Sequence, residues 1–176
     1  ILWCVCHEPE ADRTLGRLRE LLTLPGDQFA ELLVAMQDSD KAGGLIARAA
    51  NRHLSKADRE AASVLSNAQR HTHFLDSPRM ITVTQKSDFR FADLRDGIAS
   101  VFVVLPPDRL DVYARWLRLI VSQGLQDIVR AAQSAPEAVS GAETAHMPPT
   151  LFLLDEFASL GRLTAVERAM GLMAGY

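Results

Sequence analysis

Along the first 78 residues, apolar positions recur at helical spacing and are interrupted by chain breakers. Thr14 is placed to cap a short helix running to about Leu22. Pro25-Gly26-Asp27 breaks the chain and opens the next helix, with Phe29, Leu32, Leu33 and Met36 on one face. Gly43-Gly44 marks another break, and residues 45–52 form a short helical piece. Ser55 then stands as the cap of the clearest helix of this half. Its stripe is Ala57, Ala61, Val64, Leu65, Ala68, Thr72 and Leu75, and Pro78 ends it.

After residue 80 the period changes. Met80 to Thr84 alternates weakly and reads as extended. Residues 87–97 are polar with two aromatics, Phe89 and Phe91, and end in the turn signal Asp96-Gly97. Residues 100–105 (SVFVVL) form a continuous β-branched and apolar run, the mark of a strand buried on both faces. Pro106-Pro107-Asp108 closes that run and opens a long helix with Leu110, Tyr113, Leu117, Ile120, Val121, Leu125 and Ile128 at helical spacing. A loop over 133–149 leads to TLFLL at 150–154, a second buried-type strand. Thr164-x-x-Glu167 has the form of a capping box, opening a helix with Val166, Ala169, Met170 and Met173 toward the core. Strand, long helix, strand is a βαβ crossover, which predicts a parallel pair. The expected fold class is therefore helix-rich α/β: a helical subdomain over 1–85, then a piece of parallel sheet over 86–176.

Composition adds bounds. The chain has 176 residues, 48% hydrophobic and 23% charged, with a net charge of -3, which excludes a globally basic nucleic-acid binder. No apolar run approaches the ~20 residues that cross a bilayer. The chain opens at Ile1 without Met and stops just after an amphipathic segment, so it reads as a piece of a longer protein. Cys4, Cys6 and His7 stand together, but zinc sites take about four ligands, so the cysteines read as small apolar side chains. With no disulfide framework, a reducing compartment is expected.

Two features carry chemistry. Leu151-Phe152-Leu153-Leu154-Asp155-Glu156 is four apolar residues followed by two acids, the pattern of a Walker B strand. In that role Asp155 holds Mg²⁺ through its water shell, and Glu156 orients or deprotonates the water that attacks a γ-phosphate. The partner motif G-x-x-x-x-G-K-[ST] does not occur in the sequence. The second feature is charge. Residues 41–79 hold Lys41, Arg48, Arg52, Lys56, Arg59, Arg70 and Arg79 against only Asp58, Glu60 and Asp76. Such a face suits a phosphate backbone or an acidic protein, and it also suits plain solvation. His71 and His73 lie two positions apart and so point away from each other on a helix.

LFLLDEFASLGRL at 151–163, with ERAMGLMAGY at 167–176, resembles the Walker B region of TraG-like conjugative coupling proteins, the coupling ATPases of type IV secretion systems. Residues 54–77 resemble the end of their all-α domain. Phe91-x-Asp93-Leu94-Arg95 and then 100–107 resemble the return into their nucleotide-binding domain. The resemblance implies an inner-membrane-anchored, RecA-like ATPase that assembles as a homo-hexamer and uses ATP and Mg²⁺. It implies relaxase, single-stranded DNA and the secretion channel as partners, on the cytoplasmic side of the bacterial inner membrane. It also implies an all-α domain inserted between Walker A and Walker B, with Walker A ahead of residue 1. On that reading the 176 residues alone hold no nucleotide and do not turn it over. Two other readings stay open: a non-catalytic module docking relaxase or DNA, and a helical structural domain in which Asp155-Glu156 is a fortuitous strand end.

Overall fold

The computed structural model describes residues 1–95, 97–134, 149–155 and 157–161, with Leu163, Thr164, Val166, Glu167 and Ala169. The chain divides into two compact units, Ile1–Lys86 and Ser87–Tyr176.

The first unit is helical throughout. It contains α1 (Leu2–His7), α2 (Leu15–Leu22), α3 (Gly26–Gln37), α4 (Leu45–Leu54), α5 (Asp58–Thr72) and α6 (Pro78–Thr84). Thr14 caps α2 as its position suggests: its side chain accepts from the Arg17 amide at 3.1 Å. Helix α3 turns Leu33 fully inward, with Phe29, Leu32 and Met36 half-buried beside it, and packs on α4. The Gly43-Gly44 break is made in the left-handed region, at φ 60° and 74°, where glycine carries no Cβ penalty. Helix α2 packs on α5, on α6 and on the 3-10 turn His73–Asp76 between them. Ile46, Ala50, Phe74, Leu75 and Met80 are the most deeply buried apolar side chains of this unit.

Three local expectations shift. Ser55 closes α4 instead of opening α5: its amide bonds to the Asn51 carbonyl, while Ala57 takes the N-cap place of α5. That start puts Asp58 and Glu60 in the first turn, where the helix dipole favours acids. Pro78 does not end a helix; it is the first residue of α6. Met80 to Thr84 is accordingly helical, not extended. Thr82 and Thr84 donate their hydroxyls to the carbonyls four residues back, at 3.0 and 2.7 Å.

The second unit is built on α7 (Leu110–Ser134), a 25-residue helix ~38 Å long. Two 3-10 turns, Phe91–Arg95 and Phe157–Leu160, pack on it. Gly124 is the close-approach point: a Cβ there would meet Phe91 at 3.2 Å and Phe152 at 3.4 Å. Leu125, Ile128, Leu160, Leu163 and Ala169 are buried.

The βαβ piece of a parallel sheet is not found. Among the described residues there is no strand, and neither apolar run is paired into a ladder. In 101–104 the exposures alternate: Val101 40%, Phe102 85%, Val103 42%, Val104 84%. In 150–154, Leu151 and Leu153 are 85% and 87% exposed, while Phe152 lies on α7. A β-branched run states that a segment is stiff and apolar. It does not supply the neighbouring strand whose N–H and C=O groups make a ladder. Of the capping box, the helical turn begins at Thr164 and the Leu163 carbonyl accepts from Val166 and Glu167, so Leu163 holds the cap place. Met170 and Met173 lie outside the described residues, as does Asp96.

Candidate functional site

Asp155 lies directly after the segment 149–154, where the chain turns, and is exposed. Glu156 lies outside the described residues. The chain then tightens into the 3-10 turn Phe157–Leu160, closed by the Gly161 amide donating to the Ala158 carbonyl at 3.1 Å. Gly161 has φ 62°, a left-handed conformation that a side chain disfavours. Leu160, the last residue of this turn, and Leu163, three positions on, are each 5% exposed and anchor the segment in the unit. From α7, Arg118 donates its Nε–H to the Leu160 carbonyl at 2.6 Å. A Cβ on Gly161 would come within 2.9 Å of the Arg118 guanidinium.

The pattern F-x-x-L-G-x-L after the acids thus has a physical content. Two leucines anchor, the glycine makes the left-handed step, and an arginine from α7 takes the carbonyl freed at the turn. The sequence reading named the leucine-glycine segment but missed Arg118. One signal was available: Arg118 falls in register with Val121 and Leu125, three and seven positions on, so a charged residue occupies the apolar stripe of α7.

The basic residues of 41–79 do not all offer free charge. The Lys41 ammonium donates to the Cys6 carbonyl at 2.7 Å. Lys56 is paired with Glu60 one turn on. Arg48 and Arg52 are exposed on α4 at i, i+4, and so share a face. Arg59 and Arg70 are exposed on α5, eleven residues apart and nearly in line, ~17 Å along the axis. Arg70 also donates to Asn67 at 2.8 Å. The structure therefore resolves the stretch into an α4 pair and an α5 pair.

Near the amino end, Cys4 is buried and Cys6 half-buried, both as free thiols. Burial pushes the Cys4 thiol pKa up. His7 stacks on Trp3 with ring centroids 4.0 Å apart, and its Nε2 hydrogen-bonds the Ser39 hydroxyl at 2.8 Å. Among the described residues no group of three or more His, Cys, Asp or Glu is placed to hold a metal ion.

Residues 27–176 match the family described as Type IV secretory system Conjugative DNA transfer. The chain belongs to that family. It is 28% identical over 170 residues to a conjugal transfer protein TraG of Escherichia coli, covering 93% of this chain and 26% of that protein. It is 28% identical over 179 residues to a VirD4 protein of Rhizobium radiobacter, covering 93% of this chain and 22% of the relative. A VirD4 protein of Agrobacterium fabrum is 35% identical over 99 residues, 56% of this chain and 14% of its own length. The chain thus spans about a quarter or less of these relatives. No solved structure matches it. Among the described residues, no helix of this family member is long and apolar enough to cross a membrane.

Proposed function

We propose that the chain is the part of a conjugative DNA-transfer coupling ATPase that carries the acidic pair of its nucleotide site, Asp155 and Glu156. The helical unit 1–86 is its docking part for relaxase or single-stranded DNA. The observation that carries this reading is the segment 151–163, which lies inside the family match and presents Asp155, exposed, at the mouth of a turn pinned by Leu160, Leu163 and Arg118. The longer protein works as a homo-hexamer on the cytoplasmic side of the bacterial inner membrane and hands its substrate to the type IV secretion channel.

The donor chemistry of Asp155 fits Mg²⁺. A solvent-facing carboxylate is a hard oxygen ligand, and Mg²⁺ is usually held by one or two carboxylates, its own waters and substrate phosphates. When bound with ATP, that ion neutralises charge developing on the phosphoryl oxygens. Asp155 holds and orients; Glu156 takes the proton of the attacking water. The sequence contains no G-x-x-x-x-G-K-[ST], so the phosphate-binding loop belongs to the larger part of the protein outside these residues.

The test is made in the full-length protein. Glu156→Gln keeps the shape and removes the base, and is expected to retain nucleotide binding while lowering ATP turnover by about 10² to 10⁴-fold. Asp155→Ala is expected to weaken Mg²⁺-nucleotide binding as well. Turnover near wild type in Glu156→Gln overturns the assignment. The docking role rests on the exposed arginine pairs of α4 and α5 and is tested separately by DNA binding.

A further inference from the structure

Arg118 stands outside the acidic pair and outside the basic stretch, and it is the point at which α7 grips the turn that follows Asp155. Its Nε–H meets the Leu160 carbonyl at 2.6 Å, a charge-assisted bond of the stronger kind. A Cβ at Gly161 would lie 2.9 Å from its terminal nitrogen, a contact the flexible guanidinium end relieves by shifting, while Gly161 itself sits at φ 62°, a left-handed conformation that disfavours a side chain. Leu160 stands five positions after Asp155, and the last four of those positions form the compact turn Phe157–Leu160. Moving the Leu160 carbonyl therefore moves the turn, which begins two positions after Asp155. Phe152, packed at Gly124 of the same helix, fixes the segment on the other side of Asp155. Asp155 is thus suspended between two attachments to α7, one apolar and one through the Arg118 guanidinium.

We infer that Arg118 is a positioning residue: it sets the place of Asp155 by clamping the Leu160-Gly161 turn to α7. This rests on the nucleotide-site reading of Asp155. A misplacement of about 1 Å at a reacting centre costs up to ~10²-fold in rate. A lost peripheral hydrogen bond without that consequence shows only in stability.

The experiment uses the full-length protein, with Mg²⁺ and ATP as probes, well below each variant's unfolding midpoint. Arg118→Met keeps the aliphatic stem and removes the donors. It is expected to lower kcat about 10- to 100-fold and raise the Mg²⁺ concentration for half-maximal activity, while Arg118→Lys recovers part of the loss. If Arg118→Met lowers the unfolding midpoint but leaves kcat and the Mg²⁺ requirement of the folded protein within twofold of wild type, the inference is overturned. Glu156→Gln run in parallel separates the two claims. If it stays active, the nucleotide-site reading fails. If it is inactive while Arg118→Met turns over normally, only the positioning role fails.

Discussion

At the scale of single residues, Arg19 is the most heavily used side chain of the helical unit. It grips Asp76 in a two-pronged pair at 2.6 and 2.8 Å, and donates to the Gln69 carbonyl at 2.7 Å and the Thr72 hydroxyl at 3.0 Å. Gln69 in turn donates to the Leu22 carbonyl at 2.7 Å, so α2 is tied to α5 and the turn beyond it by side chains alone. The Arg19 hydrogen bonds hold the Asp76 carboxyl below its ordinary range. A depressed carboxyl stabilises the fold above its unfolded-state pKa and stops doing so as pH falls through the folded-state value. Stability should therefore fall in acid, at a pH below the usual aspartate range. Asp76→Asn should be less stable than wild type at pH 7 by about 1 kcal/mol, since the carboxylate of the pair is about half exposed to screening solvent. Urea titrations between pH 2 and 7 should show that gap closing at the acid end. A gap independent of pH would place the effect elsewhere. The cysteines allow a second check. Cys4 is buried with a raised thiol pKa, so alkylation at pH 8, followed by mass spectrometry, should label Cys6 first and reach Cys4 only in denaturant.

At the scale of elements, two packing sites decide whether the units hold. Leu75, 1% exposed in the turn His73–Asp76, fills the space between α2, α5 and α6. Leu75→Ala should cost about 2–5 kcal/mol, read from denaturant unfolding. In the second unit Gly124→Val would drive two methyl groups into Phe91 and Phe152, and overpacking should cost about 1–3 kcal/mol despite the better helix propensity of valine. Helices α2, α3, α4 and α7 were legible because an apolar stripe, a capping threonine or a glycine break acts within a few residues of itself. Helix α6 was not. Its five residues from Met80 to Thr84 alternate as a strand would, and the proline at its start settles the matter. The stripe read for α5 was right at Ala61, Leu65, Ala68 and Thr72, all half-buried, but Val64 is 45% exposed. Only one face of α5 is packed, and that face is narrower than the apolar pattern.

At the scale of the whole molecule, the docking proposal turns on charge. Binding to single-stranded DNA should weaken with salt at a log–log slope of about -0.7 per phosphate contact. Neutralising the exposed α4 pair by Arg48→Gln and Arg52→Gln should flatten that slope by roughly 1.4 if both touch phosphate. Lys41 and Lys56, already committed to the Cys6 carbonyl and to Glu60, should contribute less than the α4 pair. A slope unchanged by the arginine substitutions would leave protein docking or a solvated face. The sequence by itself determined the helical first half, the long helix after Pro106-Pro107, and the family, because helical period, breakers and the 151–163 segment are all local in the chain. Tertiary structure alone decided that the runs at 100–105 and 150–154 remain unpaired, since a ladder needs a partner strand that an apolar run cannot specify. It alone also brought Arg118, more than forty residues away in sequence, onto the Leu160-Gly161 turn, because α7 packs on that turn and the guanidinium reaches the Leu160 carbonyl.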